Sequence, residues 1–314
     1  MFSIIIPAYN AEKCIARSIS SVLRQKYGQF ELIVVNDGST DGTLEQIGKF
    51  SDERLRVITQ ENKGVSAARN AGIRSAKNPY ICFLDADDEM LDSHLAVLSS
   101  VIGQYPDKLF FVTFSLTEML DGTVKKQFEY HGDPAAFFVD DFLKFEFSNN
   151  LVKSFHTNSV CAGKAVFDRY GYFEEGVSLS EDEDMWNRIM LFEGKVVIPR
   201  ETVLRHRDHS QLTRRPTVGA PYLFNRRIDG YLSDPSLSEE KKEELKKLYN
   251  IMELSSIRSL IVHGRKAEAA KRLRKIVRKY VPKKKYWETV VSFAVPSVIL
   301  KSLLSAKTAN YYDR

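Results

Sequence analysis

Tyr80-Ile81-Cys82-Phe83-Leu84-Asp85-Ala86-Asp87-Asp88 joins an apolar run of strand character to three carboxylates within four residues. Like charges this close resist joint ionisation. A hard divalent cation bound through oxygen relieves the repulsion and leaves positions for waters and phosphates. A lone Asp-x-Asp is also an ordinary polar loop at a strand end, so its surroundings decide between the two readings.

Three further apolar runs precede it, at 2–7, 31–35 and 55–58. Amphipathic helices are predicted between the runs: Ile15, Ile19, Val22 and Leu23 with Asn10 as a cap, then Leu44, Ile47 and Phe50, then Val65, Ala68 and Gly72. Strands that read as unbroken apolar runs between such helices imply a parallel sheet covered on both faces, with ligands beyond its carboxyl ends. The segments at those ends are Pro7-Ala8-Tyr9-Asn10, Asn36-Asp37-Gly38-Ser39 and Asp85-Ala86-Asp87-Asp88. Three polar clusters on one rim point to a binding site. No GxxxxGK[ST] or GxGxxG occurs, so a cation has to hold any phosphates in place of a glycine-rich loop.

Beyond Asp88 the sequence predicts strands at 109–114 and 195–198, a turn at Gly122, and a helix after Ser180 opened by a Ser180–Glu183 capping box. Residues 204–213 are polar and hold His206 and His209; Pro216, Gly219 and Pro221 mark a boundary, and the chain reads as helical from Ser238. The domain expectation is 1–105 for the part that holds the three rim clusters, 106–218 for a second part of the same domain and 219–314 for a C-terminal helical, basic extension.

With 314 residues and 43% hydrophobic content, the chain can bury a substantial core. Cys14, Cys82 and Cys161 are odd in number and lack ligand spacing, which reads as small buried hydrophobes in a reducing, cytoplasmic compartment. The segment 1–7 has no basic stretch and breaks at Pro7, unlike a signal peptide. Charge is segregated. From Arg258 to Lys285 twelve bases face one acid, Glu268, so this segment carries about +11 of a chain total of +5 and the remainder is near −6.

Five segments together resemble the inverting glycosyltransferases of family 2, which have the nucleotide-sugar fold called GT-A. They are Ser3-Ile4-Ile5-Ile6-Pro7-Ala8-Tyr9-Asn10, Val34-Val35-Asn36-Asp37-Gly38-Ser39-Thr40-Asp41, Asn62-Lys63-Gly64-Val65-Ser66-Ala67-Ala68-Arg69-Asn70, Phe83-Leu84-Asp85-Ala86-Asp87-Asp88 and Glu181-Asp182-Glu183-Asp184-Met185-Trp186. The resemblance implies an α/β, GT-A type, Rossmann-like sheet with helices on both faces, and non-processive transfer of a sugar from a UDP-sugar to a hydroxyl of a glycan or lipid-linked acceptor in surface polysaccharide synthesis. It implies that Pro7, Ala8, Tyr9, Asn10, Asp37 and Gly64 line the donor site, with Asp37 accepting from uracil N3–H. Arg69 and Asn70 match positions that meet the diphosphate or donor sugar. Asp85 and Ala86 lie near ribose or sugar hydroxyls, Asp88 is a donor-sugar contact, and Asp87 with Asp85 holds Mg²⁺ or Mn²⁺. His209 or His206 approaches the metal, with a solvated basic loop as the alternative. Asp182 is the base on the acceptor side, with Glu181 and Asp184 to orient it. The Gln-x-x-Arg-Trp of processive synthases is missing.

In the tail, Ala270, Leu273, Ile276, Val277 and Tyr280 form an apolar stripe on one basic helix ended by Pro282; Lys283-Lys284-Lys285-Tyr286-Trp287 follows, then an apolar stretch at 290–304 broken by Pro296 and Lys301. This suits an anionic membrane surface at the inner face of the cell membrane, with a homodimer contact as the alternative and nucleic acid disfavoured. For the whole chain the rivals are a sugar-phosphate nucleotidyltransferase and a non-catalytic nucleotide-sugar-binding scaffold.

Overall fold

The computed structural model describes residues 1–126, 135–148, 156–177, 180–206, 222–297 and 299–300. Strands β1 (Phe2–Ala8), β2 (Phe30–Asp37), β3 (Leu55–Gln60) and β4 (Tyr80–Phe83) pair in parallel in the order β3-β2-β1-β4. β1 is buried at every position and β2 at all but one, as strands covered on both faces must be. β3 departs from the predicted continuous run. Its burial alternates and Val57 is exposed, because it is the last strand on its side of the sheet.

The connecting helices are α1 (Ile15–Leu23), α2 (Thr43–Gly48) and α3 (Val65–Ser75); β5 (Glu89–Met90) and α4 (His94–Gln104) follow β4. Alternate residues of a strand face opposite sides. Ile4 and Ile6 of β1 therefore pack with Ile15, Ile19 and Val22 of α1 and with Leu95 and Leu98 of α4. Ile5 faces α3 so closely that a Cβ at Gly72 would lie 2.5 Å from its side chain.

The second half of the sheet is mixed. Its elements are β6 (Phe110–Glu118), β7 (Val124–Lys126), β8 (Phe137–Val139), α5 (Phe142–Ser148), β9 (Val160–Gly163), α6 (Ala165–Tyr170), α7 (Glu181–Glu193) and β10 (Lys195–His206). β9 runs antiparallel to both β4 and β6, β10 runs parallel to β6, and β5 closes the order antiparallel to β10. β6 and β7 form the hairpin read from Gly122. Phe173 meets Phe83 and Trp186 edge to face, and Phe83 and Trp186 are tilted to each other, with ring centroids 5.2–5.6 Å apart. Cys82 and Cys161 are fully buried and face each other across β4 and β9, whereas Cys14 is only partly buried.

The chain divides into two compact units, Met1–Val177 with Met185–Gln211 and Ser178–Asp184 with Leu212–Arg314. The second contains α8 (Ile228–Ser233), α9 (Glu239–Val262), α10 (Lys266–Leu273) and α11 (Lys283–Ser292), with its own core of Leu254, Ile257, Leu260, Ile261, Ala269, Ile276, Val281 and Tyr286. Ser238 caps α9, its hydroxyl accepting from Lys241 N at 3.2 Å.

The single basic helix predicted through Tyr280 is not formed. Helix α10 stops at Leu273, and Val277 N donates to Asn250 Oδ1 of α9 at 2.8 Å. A tertiary bond thus takes the N–H that a continuing helix would use. Leu273 and Ile276 turn into the core of this unit. Residues 301–304 of the predicted apolar stretch lie outside the described residues. Among those described, no helix is long and apolar enough to cross a membrane.

Candidate active site

The order β3-β2-β1-β4 places β2 and β3 on one side of β1 and β4 on the other. Beyond the carboxyl ends of β1 and β4, where ligands of such sheets bind, the loops of these two neighbouring strands lie side by side. Pro7 and Ala8 are buried in the end of β1, and Tyr9 emerges 49% exposed. Asn10 is not a helix cap. It adopts a left-handed φ of 49°, and its Oδ1 accepts from Thr40 N at 2.9 Å, tying the β1 loop to the β2 loop; α1 begins later, after Cys14.

Asp37, 3% exposed at the end of β2, accepts three hydrogen bonds: from Gln60 Nε2 at 2.7 Å, Lys63 N at 3.0 Å and Gly64 N at 2.8 Å. Its first task is to pin the loop before α3. Gly64 opens that helix with a φ of 89°, a conformation that a side chain would strain.

The acidic loop hangs from β4 and is held from several sides. Ser18 Oγ lies 2.6 Å from Ala86 O and 2.8 Å from Asp88 O, a three-centre donation, and Arg17 Nη2 donates to Asp87 O at 2.6 Å. Asp85 and Asp87 are partly exposed, but Asp88 is turned inward and 3% exposed. Its carboxylate accepts from Asn158 Nδ2 at 2.5 Å and from His206 N at 2.9 Å, with Arg205 Nε 3.7 Å away. Burial, then the charges of Asp85 and Asp87, push the Asp88 carboxyl up to about 8, against the pull of Arg205 and the His206 N–H. Two acids of the run therefore stay partly exposed and the third anchors the loop.

Arg69 is 2% exposed, far from the surface arginine its sequence context allows. Its Nη2 donates to Asp85 Oδ1 at 3.0 Å and its guanidinium lies 5.4 Å from the Phe173 ring. Asn70 is committed elsewhere: its carboxamide donates to Phe173 O and Glu175 Oε1 and accepts from Phe173 N.

His209 lies outside the described residues. His206 has its ring between two carboxylates, Nδ1 2.5 Å from Glu118 and Nε2 2.8 Å from Glu89, so its backbone rather than its imidazole meets the acidic loop. Asp182 stands in the first turn of α7, partly buried, with its carboxylate accepting from Glu183 N at 2.8 Å. Asp184, fully buried, lies 3.3 Å from Arg227 Nε. The expected capping box is not formed, since Ser180 Oγ accepts from Leu223 N and Ser180 itself has a φ of 64°.

The sequence profile described as Glycosyl transferase family 2 matches residues 3–177, more than half of the chain. The chain belongs to glycosyl transferase family 2. Among similar family proteins, the Escherichia coli UDP-Glc:alpha-D-GlcNAc-diphosphoundecaprenol beta-1,3-glucosyltransferase WfgD is 43% identical over 103 residues, which is 32% of this chain and 41% of WfgD. Glycosyltransferase GlyG of Streptococcus pneumoniae is 28% identical over 221 residues, 67% of this chain and 71% of GlyG. The aligned stretches span less than half the length of several of these relatives. Staphylococcus aureus TarS 1–349 has the same fold, with a TM-score of 0.62 at 18% identity over 93% of this chain and 79% of that one. Mannosyltransferase PcManGT from Pyrobaculum calidifontis, solved with GDP-Man and Mn²⁺, gives 0.56 at 17% identity over 96% and 86%. The α/β GT-A sheet and the helical C-terminal region read from the sequence are therefore those of this family 2 chain.

Its donor set suits a hard cation. Asp85 and Asp87 offer oxygen only, at a partly exposed loop. Among the described residues no three His, Cys, Asp or Glu side chains gather into a closed cage. Mg²⁺ is typically held in this manner, by one or two carboxylates completed with waters and substrate phosphates. Sequence reasoning missed the supports of this loop, namely Ser18, Arg17, Asn158 and Arg205. They are 68 to 117 residues from their partners in the loop (205 − 88 = 117 for Arg205), and no spacing rule points to them.

Proposed function

We propose that this family 2 chain transfers a sugar, with inversion, from a UDP-sugar to a hydroxyl of a glycan or lipid-linked acceptor. The observation that carries the reading is the bonded set at the carboxyl rim of the parallel strands: Asp37 to Gly64, Asn10 to Thr40, and Arg69 to Asp85 beside Asp87. Asp37, Tyr9 and Pro7 would frame the nucleoside, and a carboxylate with three acceptor sites used retains one for a base N–H. Arg69 fixes Asp85, so that Asp85 and Asp87 together would hold Mg²⁺ or Mn²⁺ against the diphosphate. A bound cation neutralises the charge that gathers on the departing diphosphate. Asp182 would take the acceptor proton as oxygen attacks the anomeric carbon from the opposite side. Its carboxylate accepts one local N–H bond, while neighbouring Asp184 lies beside Arg227.

Support comes from TarS, which has been solved with UDP-GlcNAc and with UDP, and from WfgD, whose name specifies a UDP-Glc donor and a diphosphoundecaprenol-linked acceptor. A lipid-linked acceptor would bring the chain to the inner face of a membrane. Incubation with UDP-glucose, UDP-galactose or their N-acetyl forms, Mn²⁺ and a polyprenyl-diphosphate sugar tests the proposal. Transfer should stop with chelator, and Asp182→Asn should lose nearly all transfer while UDP still binds. Turnover that persists in chelator, or a normal rate in Asp182→Asn, sinks the corresponding role.

A further inference from the structure

Two residues of the apolar stripe that the sequence offers to a membrane, Leu273 and Ile276, are consumed inside the C-terminal unit, where they pack against α9 residues. Val277 of that stripe and a further apolar set are left in solvent. Val277, Trp287, Val291 and Ile299 are 45%, 56%, 62% and 49% exposed. Lys284, Trp287 and Val291 follow one another at i+3 and i+4 intervals on α11 and so share one helix face, and Lys283 lies four residues before Trp287. Arg278 joins the preceding turn to this face, its guanidinium 5.1 Å from the Tyr286 ring and 6.0 Å from the Trp287 ring. From Lys271 to Lys285 eight Lys and Arg side chains are exposed and no acid occurs. Between α10 and α11 a cavity of about 450 Å³ is lined by Leu273, Ile276 and Phe293 beneath Arg274 and Arg278.

We propose that the outer face of α11, with the Val277–Arg278 turn, is a docking surface for an anionic lipid bilayer. Trp287 and Val291 would enter the headgroup boundary beyond the lysines of the first turn of α11, with Glu288 3.9 Å from Arg258, and an anionic headgroup would meet Arg274 and Arg278. Exposed aliphatic side chains among bases gain nothing on a polyanion in water. They gain the hydrophobic term at a bilayer surface, where the bases add the electrostatic one. Nucleic acid would match the charge and leave Val277, Val291 and the aliphatic cavity lining unused. The purpose of this face rests on the proposed transfer to a lipid-linked acceptor; its existence does not.

The test mixes the full chain with phosphatidylcholine vesicles made with or without phosphatidylglycerol. The chain has two tryptophans, and Trp186 is 2% exposed, so an emission shift to shorter wavelength reports Trp287. That shift and flotation should require phosphatidylglycerol and weaken with added salt. Lys283→Gln with Lys284→Gln and Lys285→Gln should lower the partition coefficient roughly 100-fold. Val277→Ser with Val291→Ser should lower it about tenfold. All five positions are exposed, so both variants should keep the thermal midpoint and UDP binding, which separates a failed docking face from a failed donor site. Equal binding to neutral vesicles, no emission shift, unaltered flotation of both variants, or tighter binding to an RNA oligonucleotide than to anionic vesicles overturns the proposal.

Discussion

The carboxamide of Asn158 touches both ends of the acidic loop, accepting from Asp85 N at 2.9 Å and donating to Asp88 Oδ2 at 2.5 Å. It is fully buried, so its bonds set the loop rather than decorate it. Asn158→Leu keeps the volume and removes both bonds; Mn²⁺ affinity in the presence of UDP should fall about 10–100-fold, read by calorimetry, as when a residue supporting a metal ligand is lost. Unchanged affinity would show that Ser18 and Arg17 suffice to hold the loop. Asp88 carries a second prediction. With its carboxyl pushed up to about 8, the folded metal-free chain keeps a proton that the unfolded chain releases near pH 4. The stabilisation from this group is complete below about pH 4 and is lost as pH rises through about 8. Asp88→Asn, which mimics the protonated form, should flatten that fall in the urea midpoint measured in chelator; an identical pH slope in both proteins would refute the assignment. The acid run is plain in the sequence. Which acid turns inward is not, because Asp88's partners lie 70 and 118 residues away.

At the scale of elements, local pattern and tertiary bond divide the work. Strands β1, β2 and β4 are legible because burial on both faces leaves mainly apolar residues, and the helices between them follow from a single apolar stripe. The end of α10 is not legible, since residues 273–276 hold neither Gly nor Pro and the break is made by Asn250 of another helix. Between α5 and β10 the sequence likewise hides a buried ion pair: Lys195 Nζ lies 2.8 Å from Glu146 Oε1, with the side chains 3% and 7% exposed. Burial raises the Glu146 carboxyl despite the opposing pull of Lys195, so desolvation outweighs attraction at this pair. Lys195→Met alone should cost about 3–5 kcal/mol in urea unfolding by stranding Glu146. Adding Glu146→Leu should restore wild-type stability or exceed it by about 1–4 kcal/mol. A double variant as weak as the single one would mean that the pair is net stabilising.

For the whole molecule, the two compact units and the two charge regions follow the same division. The sheet carries the loops proposed to bind the donor, and the helical unit contains the Arg258–Lys285 segment that makes an otherwise acidic chain basic. Composition made this segregation visible, whereas the separate core of the helical unit emerged only from packing. Ile257, fully buried in that core, is the place to ask how independent the units are. Ile257→Ala should destabilise the helical unit by about 2–5 kcal/mol, the usual cost of emptying a packed site. Among the described hydrogen bonds of Asp37, Arg69 and Asp85, the residues proposed for the donor site, none involves that core. UDP affinity at low temperature should therefore match the wild type, while calorimetry shows the lower-melting part of the unfolding profile moved down. If the whole profile shifts as one transition, the two cores unfold together, and a stable sheet then requires the helical unit to be folded.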